Sequence, residues 1–286
     1  MSNAYILSAK RTPIGSFQGA FSQLPAPRLG ATAITAALKE AKLQGEDIQE
    51  CVMGQVLAAG AGQAPARQAA IYAGLPVSVP CMTINKVCGS GLKAVMLASD
   101  SVRLGHVDFA VAGGQENMTL APHLMENSRA GYRMGPVTMT DSMVKDGLWD
   151  PYNNFHMGNA AELAVKEFKI SRQAQDEFAI ESYKRAQAAL KDGSFKNETV
   201  AVEVGGKAGT TSFDTDEEPG KARFDKIPEL RAAFDKEGTI TAANASKIND
   251  GAAALVIAGE GAVKDRALKP IARVVAYTSF AQDPKW

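Results

Sequence analysis

Over its first 118 residues the chain alternates short apolar runs with stretches in which apolar residues return at helical spacing, and that alternation constrains its fold more than any other feature. Ala4 to Ala9 reads as a strand, Leu29 to Lys42 as a helix, Val52 to Leu57 as a strand, and Pro65 to Ala73 as a helix with proline in its first turn. Val77 to Ile84 reads as a buried strand, Leu92, Val95, Met96 and Ser99 as one helical face, and Asp108 to Gly114 as another apolar strand. Such alternation predicts an α/β layered fold, a mixed and mostly parallel sheet flanked by helices. From about Thr119 the texture changes to polar loops, Met-rich turns and one long amphipathic helix, Ser171 to Asp192, with Gly193 as its stop signal. Residues 207–221 read as loop, and core texture returns at Gly251 to Ala258. The predicted division is therefore a layered half formed by 1–118 and 249–268, an inserted loop domain at 119–248, and the start of a further unit at 269–286. Ile271 to Thr278 has the character of a first strand, which needs neighbours to bury against, so the expectation is a sequence cut inside a larger architecture.

With 31 basic and 31 acidic residues the formal charge is zero, so the chain as a whole attracts neither nucleic acid nor an anionic membrane. An anionic ligand has to be met by a local site. Asp47 to Glu50 and Asp214 to Glu218 read as solvated charge. No apolar run approaches the ~20 residues that span a bilayer. Three cysteines without framework spacing predict free thiols and a reducing, cytoplasmic setting, and the chain enters its first strand without a leader pattern. Scattered histidines and cysteines offer no metal-ligand spacing. Gly205-Gly206-Lys207-Ala208-Gly209 lacks the spacing of a phosphate loop.

The chemically suggestive run is Asn85-Lys86-Val87-Cys88-Gly89-Ser90-Gly91-Leu92-Lys93-Ala94, where an apolar segment ends and a helical one begins on a cysteine. A strand-to-helix turn presents such a side chain, Gly89 and Gly91 are the residues expected to allow the sharp bend, and the helix N-terminus favours a thiolate. The flanking glycines and the change of element favour a nucleophile over a buried structural cysteine.

Seven segments carry a family resemblance: Ala9 to Gly15, Pro65 to Ala70, Asn85 to Ala94, Gly113 to Met118, Asp146 to Leu148, His156 to Gly158, and Asn244 to Gly251. In this order and spacing they resemble the thiolases, and within them the acetoacetyl-CoA, or acetyl-CoA C-acetyltransferase, type. The resemblance implies two similar α/β halves with a loop domain inserted in the first. It implies an acyltransferase that condenses two acetyl-CoA reversibly to acetoacetyl-CoA and CoA, with CoA thioesters as substrates, no further cofactor, and assembly as a homotetramer or homodimer. Cys88 is then the nucleophile, and its own backbone N–H half of an oxyanion hole. Ser246 bonds the pantetheine arm, His156 and Met157 line its tunnel, and Leu148, Phe234 and Ala242 wall the adenine. Lys221 and Arg223 are the candidates for the adenine-nucleotide cation, and Lys247 stands where the family usually has glycine. The family's catalytic histidine, water-holding asparagine and second cysteine lie in its other half, so these 286 residues alone are expected to be inactive. The alternatives are a 3-ketoacyl-CoA thiolase of broader chain range, and a CoA- or partner-binding module without turnover. A ketoacyl synthase fits the His156 and Asn244 segments less well.

Overall fold

The computed structural model describes residues 2–206 and 209–286. The strands are β1 (Ala4–Arg11), β2 (Gly15–Ser16), β3 (Glu50–Gly54), β4 (Cys81–Ile84), β5 (Phe109–Asn117), β12 (Asn249–Gly259) and β13 (Ala272–Val274), all in one sheet. Between β5 and β12 lie two short ladders, β6 (His123–Leu124) with β7 (Thr140–Asp141) and β8 (Trp149–Asp150) with β9 (Phe155–His156), and the hairpin β10 (Val202–Gly206) with β11 (Gly209–Phe213). The helices are α1 (Ala26–Ala41), α2 (Pro65–Tyr72), α3 (Ser90–Arg103), α4 (Met157–Phe168), α5 (Arg172–Asp192) and α6 (Glu260–Asp265).

Period-2 alternation in the strands builds two cores, one on each face of the sheet. Cys51 and Met53 of β3, Phe109 and Val111 of β5, and Val256 and Ala258 of β12 pack with Leu29, Ile34 and Leu38 of α1 and Ala66 and Ala69 of α2. Val52, Ala110, Ala112 and Ile257 face the other way, onto Ala94, Ala98 and Val102 of α3. Those three α3 residues recur every four positions, and their small size brings the helix axis close to the sheet.

The path β13-β1-β12-β5-β3-β4 is mixed, but only β3 with β4 and β3 with β5 pair in parallel. The pairings of β1, β12, β5, β13 and β2 among themselves are antiparallel, so the expectation of a mostly parallel sheet fails. The reason is the return of the chain: β12 lies directly against β5, so everything between them forms one long hairpin connection. Its two ends meet where Asp250 pairs with Asn117. Asp250, fully buried, accepts from the Thr119 N–H at 3.0 Å and its hydroxyl at 2.7 Å, which locks that junction.

Three other expectations change. Residues 207–221 contain strand β11 and a helical turn at Pro219–Lys221 rather than loop throughout; Lys207 and Ala208, with their part of the glycine-rich run, lie outside the described residues. Helix α4 accompanies the expected α5, whose start is capped by the Ser171 hydroxyl. Asp216 and Glu217 are not solvated charge: Asp216 receives the Arg11 guanidinium at 2.7 and 3.0 Å and the Ile14 N–H, while Glu217 receives the N–H groups of Ser16 and Ala20. These bonds dock the long connection onto the β1–β2 corner. Asp47 is likewise paired, with Arg266 at 2.8 Å.

Candidate active site and ligand tunnel

Cys88 sits two residues before α3, exposed on the wall of a cavity of about 320 Å³ above the ends of β3 and β5. Gly54, Gly91 and Gly114 let helix and sheet approach there. A Cβ on Gly54 would lie 2.6 Å from the Ser90 Cβ, and one on Gly114 3.4 Å from the Gly91 Cα. Neither Gly89 nor Gly91 makes the bend, contrary to expectation: Gly89 has φ −86, and the left-handed residue is Val87 at φ +46. A β-branched residue in that region stores on the order of 1–3 kcal/mol, which the surroundings must offset.

They do so with two side chains. The Asn85 Oδ1 accepts the Val87 N–H at 2.8 Å, and the Ser90 hydroxyl accepts the Lys86 N–H at 2.8 Å while donating to the Val87 carbonyl at 2.6 Å. Opposite Cys88, Glu116 accepts the N–H groups of Val56 and Leu57 at 2.8 and 3.1 Å and so fixes the loop after β3. Burial pushes its carboxyl up; those two N–H groups oppose the shift, and neighbouring Asp250 adds to it. Beneath it the buried Gln115 amide donates to the Gln55 Oε1 at 3.0 Å. Among the described residues no histidine lines this cavity.

Met118 and Leu148 also line a second cavity of about 380 Å³, with His156, Met157, Phe234 and Asn244 to Ile248. His156 is the N-cap of α4, its Nδ1 accepting the Gly158 N–H at 3.0 Å. Burial holds its pKa below the usual value, in keeping with an unprotonated Nδ1. Its ring stacks on Phe234 with centroids 4.9 Å apart, and Gly158 leaves the space that ring occupies. Buried Glu162 of α4 accepts from the N–H groups of Thr239 and Ile240, both at 2.7 Å. Asn244 donates to Asp176 of α5 at 2.9 Å. These two anchors hold the 239–248 wall against α4 and α5.

Lys247 continues from the second cavity into a third of about 260 Å³, lined by Tyr183, Glu218, Lys221, Arg223, Lys226 and Ala242. Four cations and the Glu218 carboxylate line it, with Glu229 3.2 Å from Lys226. Lys221 is drawn toward Glu217 and Glu218, at 3.8 and 3.6 Å, and Lys247 toward Glu218 at 3.8 Å.

Of the residues singled out in the sequence, Cys88 lines the first cavity, Leu148 the first and second, His156, Met157, Phe234 and Ser246 the second, and Lys221 and Ala242 the third. Of the shared wall expected of Leu148, Phe234 and Ala242, the first two line the second cavity together and Ala242 lines the third. Met118, Glu116, Ser90 and Lys226 were not singled out, although the first three fall inside the matched segments.

The family profile described as "Thiolase, N-terminal domain" matches residues 4–261. An acetyl-CoA acetyltransferase of Cupriavidus necator is 52% identical over 287 residues, a match that covers 100% of this chain and 73% of that protein. The mitochondrial acetyl-CoA acetyltransferase of Homo sapiens is 49% identical over 281 residues, covering 98% of this chain and 65% of that protein. Among solved structures, the Acat5 thiolase of Ascaris suum in complex with coenzyme A superposes with a TM-score of 0.90 at 41% identity, over 96% of this chain and 70% of that one.

Proposed function

This chain belongs to the thiolase family, and from that premise we propose that Cys88 is the nucleophile of acetyl transfer from acetyl-CoA and that the three cavities are the path of the CoA carrier. The activity is that of an acetyl-CoA C-acetyltransferase, the condensation of two acetyl-CoA to acetoacetyl-CoA and CoA. The observation that supports the path is its continuity: Met118 and Leu148 join the Cys88 cavity to the second, and Lys247 joins the second to the third. An acyl group enters at the sulfur, a slender apolar arm fits between Leu148, Met157 and Phe234 beside Ser246, and a phosphate-bearing nucleotide meets Lys221, Arg223, Lys226 and Lys247.

In the proposed first step the Cys88 thiolate attacks the thioester carbonyl carbon. A new S–C bond forms, the oxyanion is received by the Cys88 N–H, and the C–S bond to CoA breaks as CoA leaves and takes a proton. In the second, a base that the resemblance places in the family's other half takes a proton from the acetyl carbon of another acetyl-CoA; that carbanion attacks the acyl carbon, the C–C bond forms as the S–C bond to Cys88 breaks, and the thiolate is regenerated. Removing one oxyanion donor typically raises such a barrier by ~3 kcal/mol, so the bend matters as much as the thiol. By resemblance the family's catalytic histidine, water-holding asparagine and second cysteine lie in its other half, so these 286 residues by themselves are proposed not to turn over. We further propose a cytoplasmic setting, supported by three free cysteines, and a homo-oligomer, supported by Gly131 to Gly135, which resembles the loop through which short-chain thiolases form tetramers and leaves Met134 98% exposed.

Alkylation of Cys88 by iodoacetamide in the presence of increasing CoA tests the path. Protection at Cys88 is expected, displaced to higher CoA concentration by Lys247→Glu. Alkylation indifferent to CoA would contradict the assignment.

A further inference from the structure

We propose that Ser90 is a positioning residue for Cys88, acting by holding Val87 in the left-handed conformation that aims the sulfur into its cavity. The inference rests on the reading of Cys88 as the nucleophile and adds the device that points it.

Val87 is the one β-branched residue among the described residues with positive φ, and it directly precedes the cysteine. Left to itself such a residue relaxes toward negative φ, which would swing the following Cα–Cβ bond away from its present direction. The Ser90 hydroxyl bridges the peptide groups on both sides of Val87, accepting from the Lys86 N–H and donating to the Val87 carbonyl. It is 4% exposed, so water has little access to its hydroxyl. Its backbone is the first residue of α3, pressed against Gly54 of β3, so the clamp is referenced to the sheet and not to a mobile loop. Asn85 supplies a weaker brace from the exposed side, through the Val87 N–H. No other side-chain hydrogen bond to the backbone of Lys86 or Val87 is found among the described residues.

The test is a double-mutant cycle in the full chain, reading the rate of acetyl transfer from acetyl-CoA to Cys88, its dependence on acetyl-CoA concentration, and the rate of Cys88 alkylation by iodoacetamide. Ser90→Ala is expected to slow acetylation by on the order of 10- to 100-fold at saturating acetyl-CoA, with the half-saturating concentration little changed, because Ser90 lines only the first cavity, at the acyl end, and neither of the two that follow. Val87→Gly, which makes positive φ inexpensive, is expected to recover most of that loss when combined with Ser90→Ala. Asn85→Ala, at an exposed position, is expected to slow the reaction less and to be rescued in the same way, and it carries the test if Ser90→Ala does not fold. Wild-type rates in Ser90→Ala, or a double variant as slow as Ser90→Ala alone, overturn the inference and leave Ser90 a packing residue. The alkylation arm separates the two readings: absence of acetylation in the wild-type chain overturns the nucleophile assignment, while the clamp still stands or falls on whether Val87→Gly reverses the change in alkylation rate.

Discussion

Gly54 shows how closely single residues control the position of Cys88. Its missing Cβ is the space into which Ser90 and the first turn of α3 fit, with Ser90 and Gly91 backbone atoms 2.7 and 2.8 Å from where that carbon would be. Gly54→Ala is therefore expected to destabilise the fold by about 1–3 kcal/mol, as overpacking of a rigid contact does, measured by urea unfolding; an unchanged midpoint would show that α3 yields freely. A second thiol has a chemistry of its own. Cys81, in register with Cys51 across β3 and β4, has its pKa lowered to about 7, first by the neighbouring Cys51 thiol and then by the Arg67 charge, against the opposing effect of burial. Its alkylation is expected to rise with pH to half its maximum near 7, and Arg67→Ala to move that midpoint upward; a midpoint that ignores Arg67 would remove the guanidinium from the account. At this scale the sequence was legible for placement and poorly legible for conformation. The position of Cys88 between strand and helix could be read from the residues around it, yet the strained residue is Val87, whose branched side chain argues against positive φ, while the glycines that looked like the hinge serve as spacers.

The elements divide in the same way. Strands of the two-faced sheet and the Ala-rich helices α1 and α3 announce themselves because each buries a regular stripe, as the Ala94, Ala98 and Val102 series does. Helix α4 and the β10–β11 hairpin do so less: α4 keeps an apolar face but fully buries only Gly158 and Glu162, and β11 presents mostly exposed small polar residues. The antiparallel entry of β12 beside β5 was hidden for another reason, since direction is set by a partner more than 130 positions away and not by local pattern. The start of α4 carries a pH prediction. Its cap is the unprotonated Nδ1 of His156, and burial lowers the folded pKa below the usual 6.5, so the group's contribution to stability is present above that value and is lost as pH falls through the folded one. Unfolding free energies of wild type and His156→Asn, compared across this range, are expected to differ by a constant above the unfolded pKa and to shift against the wild type below it; a pH-independent difference would mean that the imidazole does not cap α4.

For the whole molecule, the consequence of the long β5-to-β12 connection is that one sheet end holds Cys88 while the connection, pinned to it through Asp250–Thr119, Arg11–Asp216 and Glu217, supplies walls of the cavities beside it. The seven matched segments made the family legible from the sequence, because they preserve order and spacing along the whole chain. They did not reveal that the expected ligand residues fall into three cavities joined end to end, since that depends on how Glu162 and Asp176 hold the 239–248 wall. Among the described residues no helix is long and apolar enough to cross a membrane. The central claim is that one sulfur at the end of this path takes up the acetyl group. Incubation of the chain with acetyl-CoA, acid quench, proteolysis and peptide mass spectrometry tests it directly: the account predicts one acetyl group, on the peptide bearing Cys88 and absent from Cys88→Ala, whereas acetylation that settles on Cys51, Cys81 or a lysine and persists in the variant would contradict it.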